Sequence, residues 1–161
     1  MGELVLGDYN NQLCLCDWRY RKMRNEVDSR IQKGLNAVFE EADTPLLVET
    51  QKQLEAYFSK KLTVFDLPLL LVGTEFQQSV WNALLQIPYG KTQTYLGLSK
   101  QLSNPKAIRA VAAANGANAL SIIVPCHRII GSNQKLIGYA GGLTAKKKLL
   151  ALEQGSQLEL F

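Results

Sequence analysis

The stretch TYLGLSKQLSNPKAIRAVAAANG, residues 94–116, decides the fold. "TYLGLSKQL" reads as a short helix, "SNP" as a turn, and "PKAIRAVAAANG" as a second helix with Pro105 at its start. Two short helices around a tight turn fit a helix-turn-helix, although any αα-hairpin shares the pattern. The second helix is rich in alanine and carries Lys106 and Arg109. Its small residues would allow close approach to DNA, or equally tight packing on another helix.

Outward from that stretch the elements continue. "TEFQQSVWNALLQI" opens with Thr74 and Gln77 three residues apart, a capping-box spacing. Phe76, Val80, Trp81 and Leu84 then form its apolar face, and "PYGKT" breaks it. Downstream, "NGAN" turns the chain and "ALSIIV" reads as a buried strand running into Pro125 and Cys126. "GYAGG" is a glycine-rich turn. "TAKKKLLALEQG" is a final helix, capped by Thr144 and stopped by Gly155, and "SQLELF" is left as a tail.

The first half has a different texture. "ELVLGDY" and "QLCLCDW" flank Asn10 and Asn11 and read as a β-hairpin. Met23, Val27, Ile31, Leu35 and Val38 follow at helical spacing. A second helix starts at Pro45, with Thr44 as its cap. "FDLPLLLVG" is a packed connector. The expected fold is therefore α+β: a small N-terminal sheet-and-helix domain, residues 1–72, and a mainly helical C-terminal domain with the helix-turn-helix, residues 73–161.

Charge divides at the same place. Residues 1–73 hold nine Lys+Arg and eleven Asp+Glu, whereas residues 74–161 hold nine and three. No acidic residue occurs between Phe76 and Leu152. A basic half beside an acidic one points to a polyanionic partner, and nucleic acid is the expectation. Hydrophobic content of 47% with 20% charged residues describes an ordinary soluble chain of 161 residues. No apolar run approaches the roughly 18 residues of a membrane span, and the N-terminus lacks a signal pattern, so cytoplasmic location is expected. Three cysteines, Cys14, Cys16 and Cys126, make a disulfide framework unexpected. A zinc site would consume all three and the single histidine, which argues against metal.

That histidine, His127, directly follows Cys126. A thiolate is the nucleophile, and an imidazole can take the thiol proton. Adjacent side chains diverge, so a water between them is expected rather than a direct hydrogen bond. The imidazole needs its other nitrogen held by a carboxylate. Glu75, Glu153 and Glu159 are the choices in this half, and Glu153 on the final helix is preferred. Cys126 could instead be a buried structural thiol. If it is a nucleophile, its acidity should be raised by His127.

"PCHRIIG", "GYAGG" and "KKKLLALEQG" resemble the O6-alkylguanine-DNA alkyltransferases, the methylated-DNA–protein-cysteine methyltransferases. "GTEFQQSVWNALLQIPYGKTQTYLGLSKQLSNPKAIRAVAAANGAN" is similar to that family's helix-turn-helix region, so the resemblance runs over about residues 73–155. It implies a single-use DNA repair protein; no cofactor and a monomeric state are expected. Cys126 would accept an alkyl group, chiefly methyl, from O6 of guanine, or O4 of thymine, in double-stranded DNA. His127 would act through a water and Glu153 would orient it. Asn118 would be a hinge, and Tyr95 would help the departing guanine. Arg109 would fill the stack left by the flipped nucleotide, with its helix in the minor groove. Tyr139 would wall the base pocket, and Gln77, Asn104 and Ser132 would touch phosphates. The rivals are a lesion binder of the alkyltransferase-like class, which typically lacks the cysteine, and a sequence-specific regulator. Ser121 stands where many members have proline and Ala140 where many have serine, and a leading strand of the family's hairpin is expected to be missing.

Overall fold

A computed structural model describes residues 1–155. The "SQLELF" tail and Glu159 lie outside these residues. The first element is a hairpin of β1 (Leu4–Tyr9) and β2 (Gln12–Trp18), antiparallel, with Tyr9 opposite Gln12. Asn10 and Asn11 turn it with φ of 49° and 61°. Two left-handed residues match the strand twist, and asparagine tolerates that region. The other edge of β2 is covered by irregular chain. Leu13 N donates to Pro68 O at 2.7 Å, and Cys16 N donates to Ala119 O at 2.8 Å. The "FDLPLLLVG" stretch is thus the packed connector expected, and the structure adds that it lies against β2.

Two helices follow, α1 (Arg24–Leu35) and α2 (Pro45–Phe58). Helix α1 stops at Asn36, whose φ of 49° is left-handed. Val38 therefore lies beyond the helix and is exposed, contrary to the periodicity. Thr44 caps α2 as expected, accepting from Leu47 N at 3.1 Å.

The second half begins with α3 (Glu75–Leu84), whose capping box of Thr74 and Gln77 is complete. Val80, Trp81 and Leu84 are buried, but Phe76, in the first turn, is exposed. Strand β3 (Gln93–Thr94) leads into α4 (Tyr95–Gln101), capped by Thr94. Helix α5 (Ile108–Gly116) packs on α3 and α4. Pro105 does not start this helix. It sits in the preceding turn, which Ala107 N closes on Asn104 O at 3.0 Å.

"ALSIIV" is not a strand. Residues 121–124 form turns, with Ile122 at φ 73° and Val124 N bonded to Leu120 O. The Asn118 side chain bonds Leu120 N and Val124 O, both at 2.9 Å, and takes the polar groups a ladder would have used. A short apolar run carries no period that separates buried turn from buried strand. A 3₁₀ turn, Cys126–Arg128, follows, and then β4 (Ile129–Ile130) pairs parallel with β3. The last helix, α6 (Leu143–Gln154), is entered through Gly142 at φ 86°. Thr144 lies inside the helix and does not cap it, while Gly155 ends it as expected.

One apolar core joins the halves: Leu13, Trp18, Leu54 and Tyr57 pack in the same cluster as Trp81, Leu98, Val124 and Leu149. No helix among the described residues is long and apolar enough to cross a membrane.

Candidate active site

Cys126 sits at the start of the 3₁₀ turn and is 3% exposed. Its backbone is aimed by the turn that Asn118 clasps. The thiol borders a cavity of about 770 Å³, also lined by Tyr95, Asn115, Trp18, Arg21 and Tyr139. Burial pushes the thiol up to about 11, and the Asn118 side chain and the Lys146 and Arg21 cations offset this only in part. The expected rise in acidity through His127 is therefore not found. The physical reason is that His127 is itself neutral: burial lowers its basicity more than Glu153 restores it.

His127 and Glu153 meet as expected. His127 Nε2 lies 2.8 Å from Glu153 Oε1, and both side chains are closed to solvent. The carboxylate requires Nε2 to carry the proton, which leaves Nδ1 as the ring acceptor. Nδ1 is buried and has no partner among the described residues. Glu153 takes four more donors. Arg128 Nε and Nη2 reach it at 2.9 Å each, Tyr57 OH at 2.7 Å, and Gly90 N at 3.3 Å. Gly90 has φ 75°, a conformation in which a side chain is strained, and its amide turns inward there. Burial pushes Glu153 up, but the His127 and Arg128 hydrogen bonds outweigh it and hold the carboxyl at about 2. Glu75, the other described choice, is exposed on α3 and takes no part in these hydrogen bonds.

The remaining expected residues separate into two sets. Tyr95 and Tyr139 line the cavity with Cys126. The Tyr95 hydroxyl donates to Ile137 O at 3.1 Å, so it is committed to backbone in this state. Tyr139 accepts from Trp18 Nε1 at 3.2 Å. Arg109, Asn104 and Ser132 are exposed, and Gln77 is half-buried with its carbonyl bound in the α3 capping box. Arg109 lies three and seven residues before Ala112 and Gly116, which border the cavity, so it shares their face of α5.

Sequence reasoning missed Trp18, Tyr57, Arg128 and Lys146. Lys146 is fully buried and donates to the carbonyls of Ile129, Ile137 and Gly138. A side chain at Gly141 would run into the Trp18 indole, so the "GYAGG" turn closes directly onto the hairpin. The only sequence signal for Tyr57 or Trp18 was their place in apolar runs, which does not say which partner they meet.

Residues 75–155 match the family described as 6-O-methylguanine DNA methyltransferase, DNA binding domain. A methylated-DNA–protein-cysteine methyltransferase of Methanosarcina acetivorans is 59% identical over 105 residues, covering 65% of this chain and 67% of that protein. One from Mycobacterium tuberculosis is 56% identical over 112 residues, 68% of each. A crystal structure of Mycobacterium tuberculosis OGT in complex with DNA superposes with a TM-score of 0.80 at 40% identity, covering 94% of this chain and 86% of that one. The fold and these relatives thus define a DNA-directed cysteine alkyl acceptor. The chain belongs to the methylated-DNA–protein-cysteine methyltransferase family.

Proposed function

We propose that this protein repairs DNA by direct reversal, moving one alkyl group, chiefly methyl, from O6 of guanine in duplex DNA to its own Cys126. The observation that carries the reading is the buried His127–Glu153 pair beside a cavity-facing thiol. The thiol rests protonated, so its proton must leave as sulfur attacks. Nδ1 of His127 is the base, reached through one water, and Glu153 stabilises the imidazolium that forms. The sulfur–carbon bond forms as the carbon–O6 bond breaks, its electron pair passing to the purine. Tyr95 delivers a proton to the departing guanine, and the thiol proton replaces it by way of His127 and solvent. The thioether has no hydrolytic exit, so each molecule reacts once.

The helix-turn-helix of α4 and α5 presents α5 to the duplex. An alkyl group in stacked DNA is out of reach, so the nucleotide must be flipped into the cavity, at a cost of a few kcal/mol. Arg109 fills the gap, and Gln77, Asn104 and Ser132 approach phosphates. Asn118 holds the turn and Tyr139 walls the base. We also place the division into units at 1–72 and 73–161, and propose a cytoplasmic monomer, a reducing setting that suits a thiol acceptor.

Intact-protein mass after mixing with a duplex bearing one O6-methylguanine tests the reading. One added methyl per wild-type molecule, and none on Cys126→Ala with duplex binding kept, is expected. Methyl gain by Cys126→Ala would sink it, and preferential lesion binding with no gain would favour a lesion binder.

A further inference from the structure

Two carboxylates are buried among the described residues, Glu153 and Asp17. Glu153 has a place in the chemistry and Asp17 has none. Asp17, at the end of β2, is fully closed to solvent. Its Oδ1 accepts from Trp18 N and from Ser121 Oγ, both at 2.9 Å. Its Oδ2 accepts from Arg21 Nη1 and Arg24 Nη1, both at 3.0 Å. A buried anion with four donors fixes all of them, because any departure leaves charge unpaired.

What it fixes is the chain between α5 and the acceptor turn. Arg21, held by Asp17, donates to Gly116 O and, at 3.2 Å, to Asn118 O. Arg30 donates to Ala117 O at 2.7 Å, and Cys16 N to Ala119 O at 2.8 Å. Four successive carbonyls are thus taken by donors from the N-terminal half. Ser121, next but one, is bound to Asp17 itself. A proline at Ser121 would have no hydroxyl to give. Asn118, at the centre of this chain, clasps the turn that ends at Cys126.

We propose that Asp17 is a positioning residue for alkyl transfer: through Arg21 and Ser121 it fixes residues 116–121 and so aims the Cys126 sulfur at a base held against α5. The aim toward a base rests on the function proposed above. Asp17→Asn keeps the shape but has one carbonyl oxygen for two sets of donors. Ser121→Ala removes one arm alone. Both variants would be compared with wild type in single-turnover transfer from an O6-methylguanine duplex, in duplex affinity, and in melting temperature. Cys126 modification by iodoacetamide would be followed against pH by peptide mass.

Transfer is expected to slow about tenfold or more in each variant, with duplex affinity kept within about twofold, since small misplacements at a reacting centre are costly. The charged and titratable groups acting on the thiol are Asp17 and Arg21 from the hairpin side, Lys146 from α6, and the hydroxyls of Tyr95 and Tyr139. Losing the Asp17 anion while the cations stay should move the iodoacetamide profile of D17N to lower pH, a shift that loss of folding stability alone does not produce. Transfer within about twofold of wild type in both variants, or a D17N profile that superposes on wild type, would overturn the proposal. If D17N does not fold, S121A decides: slowed transfer at an unchanged melting temperature supports it and wild-type transfer overturns it. If wild type takes no methyl, the repair reading fails separately, and an unshifted iodoacetamide profile then overturns the role of Asp17.

Discussion

His127 Nε2 and Glu153 Oε1 are 2.8 Å apart in a place neither side chain shares with solvent, 26 residues apart in sequence. The pair makes a double prediction for Glu153→Gln. Transfer should fall roughly a hundredfold, the scale of a lost acid–base group, because the amide cannot balance an imidazolium. Stability should also lose its acid dependence. The folded carboxyl at about 2 lies below its ordinary 4.5, so its contribution is present above 4.5 and lost as pH falls toward 2. That window is worth on the order of 3 kcal/mol, and His127, buried neutral, adds loss in the same direction as it must charge on unfolding. Urea titrations from pH 7 to 3 should show a steep decline in wild type and a flatter one in E153Q; equal slopes would remove Glu153 from the account.

Arg109→Ala separates extrusion from chemistry. Its side chain is exposed on the α5 face that borders the cavity. Repair of a duplex lesion should weaken about tenfold or more, in line with a lost few-kcal/mol share of flipping, while reaction with a free O6-alkylated base stays within about twofold. Equal losses on both substrates, measured by mass at matched times, would exclude the role.

Thr44→Ala should touch stability alone. Thr44 Oγ1 accepts from Leu47 N and donates to Asp8 Oδ2. Removing a cap of this kind costs about 1 kcal/mol. A lower denaturation midpoint with unchanged transfer is expected; a slowed transfer would mean that α2 reports to Glu153 through Tyr57 more strongly than its contacts indicate.

Local signals carried much of this fold into the sequence. The Asn10-Asn11 turn, the Thr44 cap, the Thr74–Gln77 box and the Gly155 stop each depend on neighbours a few residues away, and each is where the pattern places it. The failures are also physical. Val38 and Phe76 fit a helical period and Thr144 a cap, but a left-handed Asn36, the first turn of α3 and the Gly142 entry set the real bounds. "SIIV" has the composition of a strand, yet Asn118 supplies the hydrogen bonds that make it a turn. At the site, Cys126, His127 and Glu153 were legible through their chemistry and family motifs. Asp17, Tyr57 and Trp18 were not, because their partners lie about 100 residues away. The acidity of Cys126 was misjudged for a related reason: adjacency to His127 is visible in the sequence, whereas burial is not.

The high resting affinity of Cys126 for its proton, set by burial at about 11, bears on how such a molecule keeps. It is the thiolate that attacks peroxides and disulfides, and almost none is present at neutral pH. A catalyst oxidised once in many cycles loses little, but a stoichiometric reagent oxidised before use is lost whole. On the single-use function proposed above, withholding the thiolate until a substrate and its proton acceptor are in place would give the unspent protein a long shelf life, and slower chemistry would matter little to a molecule that has to act only once.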